Sequence, residues 1–123
     1  MKPMDANEET AGRTAPLSPA VFYILFALAD EDRHGYAIMQ ETVKLSEGDF
    51  RMGPATLYTN IQRLLASGLI QEAPGGGSEE RDARRRFYRL TRQGRTAMEQ
   101  ELERMRKVLR RAQRYLLAPK AVH

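Results

Sequence analysis

The chain has 123 residues, 41% hydrophobic and 29% charged, a composition that fits one globular domain with a modest core. It has no cysteine and two histidines, His34 and His123, which excludes disulfides, thiolate metal sites, a plausible zinc site and a histidine-based catalytic triad. The net charge is only +4 but unevenly placed: Arg81 to Arg95 holds seven arginines against one acid, Asp82, either a bare basic surface or the footprint of a phosphate binder.

Residues 1–16 (MKPMDANEETAGRTAP) are polar, proline-punctuated and aperiodic, which predicts a disordered tail. Lys2 and Arg13 stand there against Asp5, Glu8 and Glu9, which argues against a basic arm lying in a groove. Order is expected from Leu17. Ser18 suits an N-cap and Pro19 the first helical position, where its missing N–H has no intrahelical use. The segment that follows, VFYILFALA, is apolar on every side, as in a helix buried on more than one face. One face would meet its own domain and another a second subunit, with Phe22 and Phe26 assigned to the latter. The apolar run Pro19 to Ala29 is 11 residues, against about 20 for a membrane span. It is also embedded too deeply to read as a signal peptide, so a cytoplasmic location is expected.

A charged turn, Asp30 to Arg33, leads to a second helix opened by His34-Gly35, with Tyr36, Met39 and Val43 at helical spacing and Gly48-Asp49 at its end. The free N–H groups at such a helix start bind phosphate readily. His34 itself is the kind of residue that more often serves a turn. Gly53-Pro54 starts a third helix that runs to Ser67 and stops at Gly68, with Leu57, Ile61, Leu64 and Leu65 inward. Its opposite face carries Ala55, Thr56, Thr59, Gln62 and Arg63. Small polar groups ending in an arginine suit a helix entering the DNA major groove, although a plain solvated helix face has a similar composition. Tyr58 lies on the flank, where it either fills the seam with the second helix or points its hydroxyl at a phosphate.

A short strand (Leu69 to Glu72), a polar loop containing three consecutive glycines and a second strand (Arg85 to Leu90) complete a hairpin. Arg84, Arg85 and Arg86 put charge where such a wing meets a sugar-phosphate backbone. The glycines lack the lysine and Ser/Thr of a P-loop and lead into a strand. Thr91 caps a final helix expected to reach Leu117. Along it Met98, Leu102, Met105, Leu109, Ala112 and Leu116 form an unbroken heptad seam amid basic residues, and a second copy of the chain is its simplest partner. Met and Ala within the seam would pack loosely and leave room for a small apolar effector between subunits. A short domain also gains burial by dimerising.

Three runs carry a resemblance: HGYAI (His34 to Ile38), GPATLYTNIQRLLASGLI (Gly53 to Ile70) and RRRFYRLTRQG (Arg84 to Gly94). Together and at this separation they resemble the PadR family of transcriptional regulators, specifically its smaller subgroup with a single C-terminal helix. The resemblance implies a mainly α winged helix-turn-helix and a homodimer formed by the last helix with help from the first. It also implies repression relieved, in many members, by a small molecule or other signal. Carried over by position, it implies DNA contacts from Thr56, Tyr58, Thr59 and Arg63, with the Tyr36 region and the wing arginines on phosphates; His34, at the start of the second helix, is a DNA-binding candidate through that helix end. Two departures stand out: Ala55 where many members have glycine, and no tryptophan for stacking a ligand.

The expected organisation is therefore a winged helix-turn-helix over 17–91, a dimerisation helix over 92–117 and a flexible tail over 118–123. The expected partners are double-stranded DNA with two half-sites, a second copy of the chain and a small apolar effector, with no cofactor, metal or membrane. Two other classes compete: an interaction protein whose winged domain or coiled helix binds a protein partner such as a membrane regulator, and a small hydrolase or transferase. The second is weak, because no nucleophile–base pair, metal cluster or phosphate loop is present.

Overall fold

The computed structural model describes residues 16–74, 86–117 and 119. Most of the two tails, the wing tip and two of the three wing arginines, Arg84 and Arg85, therefore lie outside the described residues.

Helix α1 spans Pro19–Ala27; its first turn is closed by the Ser18 hydroxyl, which accepts the Val21 N–H at 3.2 Å. Ile24, Leu25 and Ala27 are fully buried while Phe26 is not, so the helix is covered on part of its circumference only. Arg33 secures its far end, donating from Nε to the Ala27 carbonyl at 2.7 Å. The charged turn thus closes a helix terminus whose carbonyls lack partners.

The same turn contains a strand that composition does not reveal. Strand β1 is two residues, Arg33–His34, paired antiparallel with β3 (Phe87–Leu90), Arg33 opposite Tyr88 and His34 opposite Phe87. Strand β2 (Ile70–Ala73) pairs with the other edge of β3, giving the sheet order β1-β3-β2. The wing is therefore a three-stranded sheet whose outer strand runs directly into helix α2 (Gly35–Leu45).

Helix α2 buries Gly35, Ile38 and Thr42 rather than the expected stripe of Tyr36, Met39 and Val43. Thr42 reads as polar, yet its hydroxyl donates to the Met39 carbonyl at 2.8 Å and needs no water, so its methyl can face the core. That rotation of the helix leaves Tyr36 on the outside.

The link to helix α3 (Pro54–Ser67) turns through positive φ at Glu47 and Gly48, and the Ser46 hydroxyl accepts the Phe50 N–H at 2.9 Å. Phe50 then stacks on Tyr23 of α1, ring centroids 5.3 Å apart. Helix α3 buries Leu57, Ile61 and Leu64, each contributing about 1.5–3 kcal/mol of hydrophobic burial. It stops at Gly68, whose φ of 81° is the left-handed conformation that a residue with a Cβ adopts at a cost.

Thr91 ties the end of α3 to the start of helix α4 (Arg92–Ala112): its hydroxyl donates to the Gly68 carbonyl at 2.6 Å and accepts the Gly94 N–H at 3.0 Å. A Cβ at Gly94 would run into the Leu69 carbonyl, so this corner closes only with glycine. The run from Tyr88 to Gly94 thus has a physical basis: a buried ring, a cap that grips two elements, and a close approach of backbones. Helix α4 relaxes into a wider π-helical turn at Gln113–Leu117. The architecture is mainly helical, a winged helix-turn-helix with a long C-terminal helix, built around one core to which α1, α2, α3, the sheet and the root of α4 all contribute.

Candidate nucleic-acid interface

With Leu57, Ile61 and Leu64 inward, the opposite side of α3 presents Ala55, Thr56, Thr59, Gln62 and Arg63 to solvent. Asn60 on the flank is occupied, its amide donating to the Thr56 carbonyl at 2.9 Å. Helix α3 is held on three sides: by α1 and α2 through the core, by β2 beyond Gly68, and by α4 through Thr91. A side chain on its outer face is thus presented by a rigid element rather than a loop.

Tyr58 is half-buried, and its ring lies over Gly35, where a Cβ would collide with the phenol. Its ring thus packs at the junction of α3 with the first turn of α2. Gly35 is required for that approach.

His34 is the N-cap of α2, its Nδ1 accepting the Ala37 N–H at 3.2 Å, and its ring meets Phe87 edge-on at 5.2 Å. These contacts fasten the start of α2 to the base of the wing and leave the Nε2 edge for other partners. Beside it Tyr36 is 60% exposed. Helix α3, the start of α2 and the wing base thus form one connected unit.

The arginines of the wing base are less free than their density suggests. Arg86 pairs with Glu72 across the sheet at 2.9 Å. Arg89 makes a two-pronged contact with Asp32, at 2.8 and 3.2 Å. Arg95 donates to the Ala29 carbonyl at 3.1 Å. Such exposed contacts serve mainly to fix geometry. Sequence separation hides the pairing, since Asp32 and Arg89 meet only once β1 is known. Arg51, just before α3, is a further exposed cation that composition did not single out. Burial raises the Tyr88 phenol above its ordinary pKa, so the ring beneath the wing stays neutral.

The second set of assigned residues lies along α4 and α1. Met98 is only 8% exposed and belongs to the domain's own core, whereas Leu102 is 45% and Leu116 77% exposed. Met105 and Leu109 are exposed too, Ala112 is half-buried, and Phe22 is half-buried beside Phe26, their rings meeting at 5.8 Å. The apolar face is broader than a heptad seam, because Val108 and Tyr115 are exposed along its flank. At its root Glu101 is buried, gripped by Arg104 at 2.6 and 3.1 Å, and that contact holds its carboxyl below the ordinary range.

Among the described residues no helix is long and apolar enough to cross a membrane, and no group of three or more metal-binding side chains is gathered.

A family model described as the transcriptional regulator PadR-like family matches residues 24–100. A protein named Transcriptional regulator Rv3488, from Mycobacterium tuberculosis, is 40% identical over 82 residues, 64% of this chain and 68% of that protein. The fold is similar to that of a transcriptional regulator from Clostridium thermocellum, with a TM-score of 0.65 and 25% identity, covering 78% of this chain and 91% of the other. It is similar also to a PadR family transcription regulator from Clostridium difficile, with a TM-score of 0.65 and 23% identity, covering 80% and 99%. On the family match over most of the folded region, the chain belongs to the transcriptional regulator PadR-like family.

Proposed function

We propose that this PadR-like regulator is a homodimeric repressor that reads two DNA half-sites, one with the α3 of each protomer. The observation that carries the reading is the outer face of α3: Thr56, Thr59, Gln62 and Arg63 all exposed on a helix fixed by a packed core. Arg63 can bridge two acceptors of a guanine, and the threonines suit thymine methyls and phosphates. Tyr36, the His34 edge and the wing arginines Arg84, Arg85 and Arg86 would meet the backbone on either side, fixing register without reading sequence. Tyr58 packs between α2 and α3 and would turn its hydroxyl edge toward a phosphate from that junction.

The unit 17–91 is then a reading head and 92–117 an arm that pairs two heads, through Phe22, Phe26, Leu102, Met105, Leu109, Ala112 and Leu116 with Met98 at the root. Two heads on one face of the duplex would take half-sites about 34–36 Å apart. A small apolar molecule entering between the arms would act by changing that separation. The activity is binding rather than catalysis, in a cytoplasmic setting.

The test is retention of genomic fragments by the purified chain, followed by titration of a retained fragment against salt. Affinity should fall by roughly three to five decades between 50 and 200 mM salt if about 6–10 phosphates are contacted. Flat salt dependence, or no retained fragment, would favour a protein-binding role for the winged domain.

A further inference from the structure

Helix α4 carries a second row of side chains beside its heptad seam. Glu101, Arg104, Val108, Arg111 and Tyr115 are spaced 3, 4, 3 and 4, so at about 100° per residue they share one side of the helix. The row begins buried and ends in the open: Glu101 is 3% exposed and Tyr115 76%. Along it runs an open groove of about 620 Å³, floored by Val108, Ala112 and Tyr115 and edged by Arg104, Lys107 and Arg111. These cations are unevenly engaged. Arg104 is held by Glu101, and Glu103, one turn before Lys107, is taken by Arg106. No acid follows Glu103 in the helix, so Lys107 and Arg111 have no carboxylate left on their own element. The chain enters the fold at the buried end of this row. There the Leu17 backbone N–H lies against the Glu101 carboxylate, and the Leu17 side chain packs on the core.

We propose that the acidic stretch Asp5 to Glu9 of the segment before Leu17 docks in this groove on its own chain, with Glu8 and Glu9 on Lys107 and Arg111 and Met4 beyond them on Tyr115. Three features agree on it. The first is charge: Asp5, Glu8 and Glu9 are three acids within five residues that hold no base, and the groove is edged by bases alone. The second is reach. Lys107 and Arg111 lie about 9 and 15 Å along the axis from Glu101, at about 1.5 Å per residue. Glu9 is eight residues from Leu17, a stretch that spans at most about 26–29 Å, so it arrives with length to spare. The third is the tether itself. Exposed ion pairs are individually weak, but a short link to Leu17 keeps the acids beside the groove at an effective concentration on the order of millimolar. An acidic peptide on a separate chain has no such advantage. The docked stretch lies beside the seam and meets it only at Ala112 and Leu116, so the proposal goes beyond the DNA and dimer readings and depends on neither.

The absence of cysteine lets Ala6→Cys carry a single nitroxide, whose broadening of amide signals is read by NMR on the isotope-labelled full chain. The proposal predicts broadening from Arg104 to Tyr115. It also predicts that Glu8→Lys with Glu9→Lys loses that broadening, and that adding Lys107→Glu with Arg111→Glu to those two restores it. Lys107 and Arg111 are exposed, so unchanged amide positions for the buried Ile38 and Ile61 show that each variant keeps its fold. Equal broadening with and without the charge reversal would report tether length alone and overturn the proposal. A loss that the second pair fails to restore overturns the assignment to Lys107 and Arg111. Broadening seen only when a nitroxide-bearing chain without the isotope is mixed with an isotope-labelled chain without the nitroxide places the stretch on another copy and overturns docking on its own chain. Duplex DNA that shifts Lys107 and Arg111 while the nitroxide leaves them unbroadened makes the groove a nucleic-acid surface, and overturns it too.

Discussion

Helices α3 and α4 each bury one face and offer the other to solvent, but what they offer is opposite in kind. The outer face of α3 is short, polar and flat: Ala55, Thr56, Thr59, Gln62, Arg63. The outer face of α4 beyond Glu101 is apolar, with Leu102, Met105, Val108, Leu109, Tyr115, Leu116 and Leu117 all exposed. A polar face needs no cover, so its rigidity is the informative property. A long apolar face exposed on one helix is unusual on a chain that acts alone, so its exposure is. The two helices are joined through Thr91 and Gly94, which fixes the end of α3 against the start of α4.

The largest expected effect comes from spoiling the apolar face. Leu102→Lys with Leu109→Lys should give monomers by sedimentation, with unchanged helix content by circular dichroism because both positions are exposed. Affinity for a two-half-site fragment should fall by about 10²- to 10⁴-fold, as bivalent binding becomes monovalent. A dimer surviving both lysines would remove the distinction between the two faces.

Next in size is the hidden side of α3. Ile61→Ala should cost about 2–5 kcal/mol of stability, read as a lower thermal midpoint, since Ile61 is fully buried. Thr59→Ala, on the outer side of the same helix, should leave the midpoint within about 0.5 kcal/mol and still weaken DNA binding. Equal effects of the two on stability would mean that the helix is turned differently.

Arg63→Ala sharpens the reading of that outer face. Loss of a two-pronged guanine contact should cost about 1–3 kcal/mol of affinity and relax sequence preference at one position. A uniform loss across all sequences would make Arg63 a phosphate contact.

The smallest effect concerns the root of α4. Arg104 holds Glu101 below the ordinary 4.5, so the folded chain binds that proton more weakly than the unfolded one. The resulting stability is complete above pH 4.5 and is lost as pH falls through the lowered folded value. Glu101→Gln should therefore be less stable than the unmodified chain at pH 7, read as a lower thermal midpoint, with the gap closing in acid. A gap independent of pH would contradict the pairing.

Much of this was legible in the residues because several devices act locally. Ser18, Pro19, Gly68 and Thr91 mark helix ends by their own chemistry, and the structure uses each as expected. The inward stripe of α3 follows from periodicity alone. What escaped depends on contacts distant in sequence. Strand β1 is two residues, too short for any alternation to show. Thr42 is buried because its hydroxyl is satisfied within the helix, which a hydrophobic stripe cannot register. The arginine cluster looked bare because Asp32 and Glu72 reach Arg89 and Arg86 only once the sheet has formed. The width of the α4 face was missed because a heptad template counts the seam and passes over Val108 and Tyr115.

If two reading heads act as one unit, a cleavage footprint on a retained genomic fragment will show both. The unmodified chain should protect two half-sites on one face of the duplex, centred about 10–10.5 base pairs apart or a multiple of that. The Leu102→Lys, Leu109→Lys chain should lose both protections together at the same concentration. A single protected half-site that both chains cover equally well would contradict it.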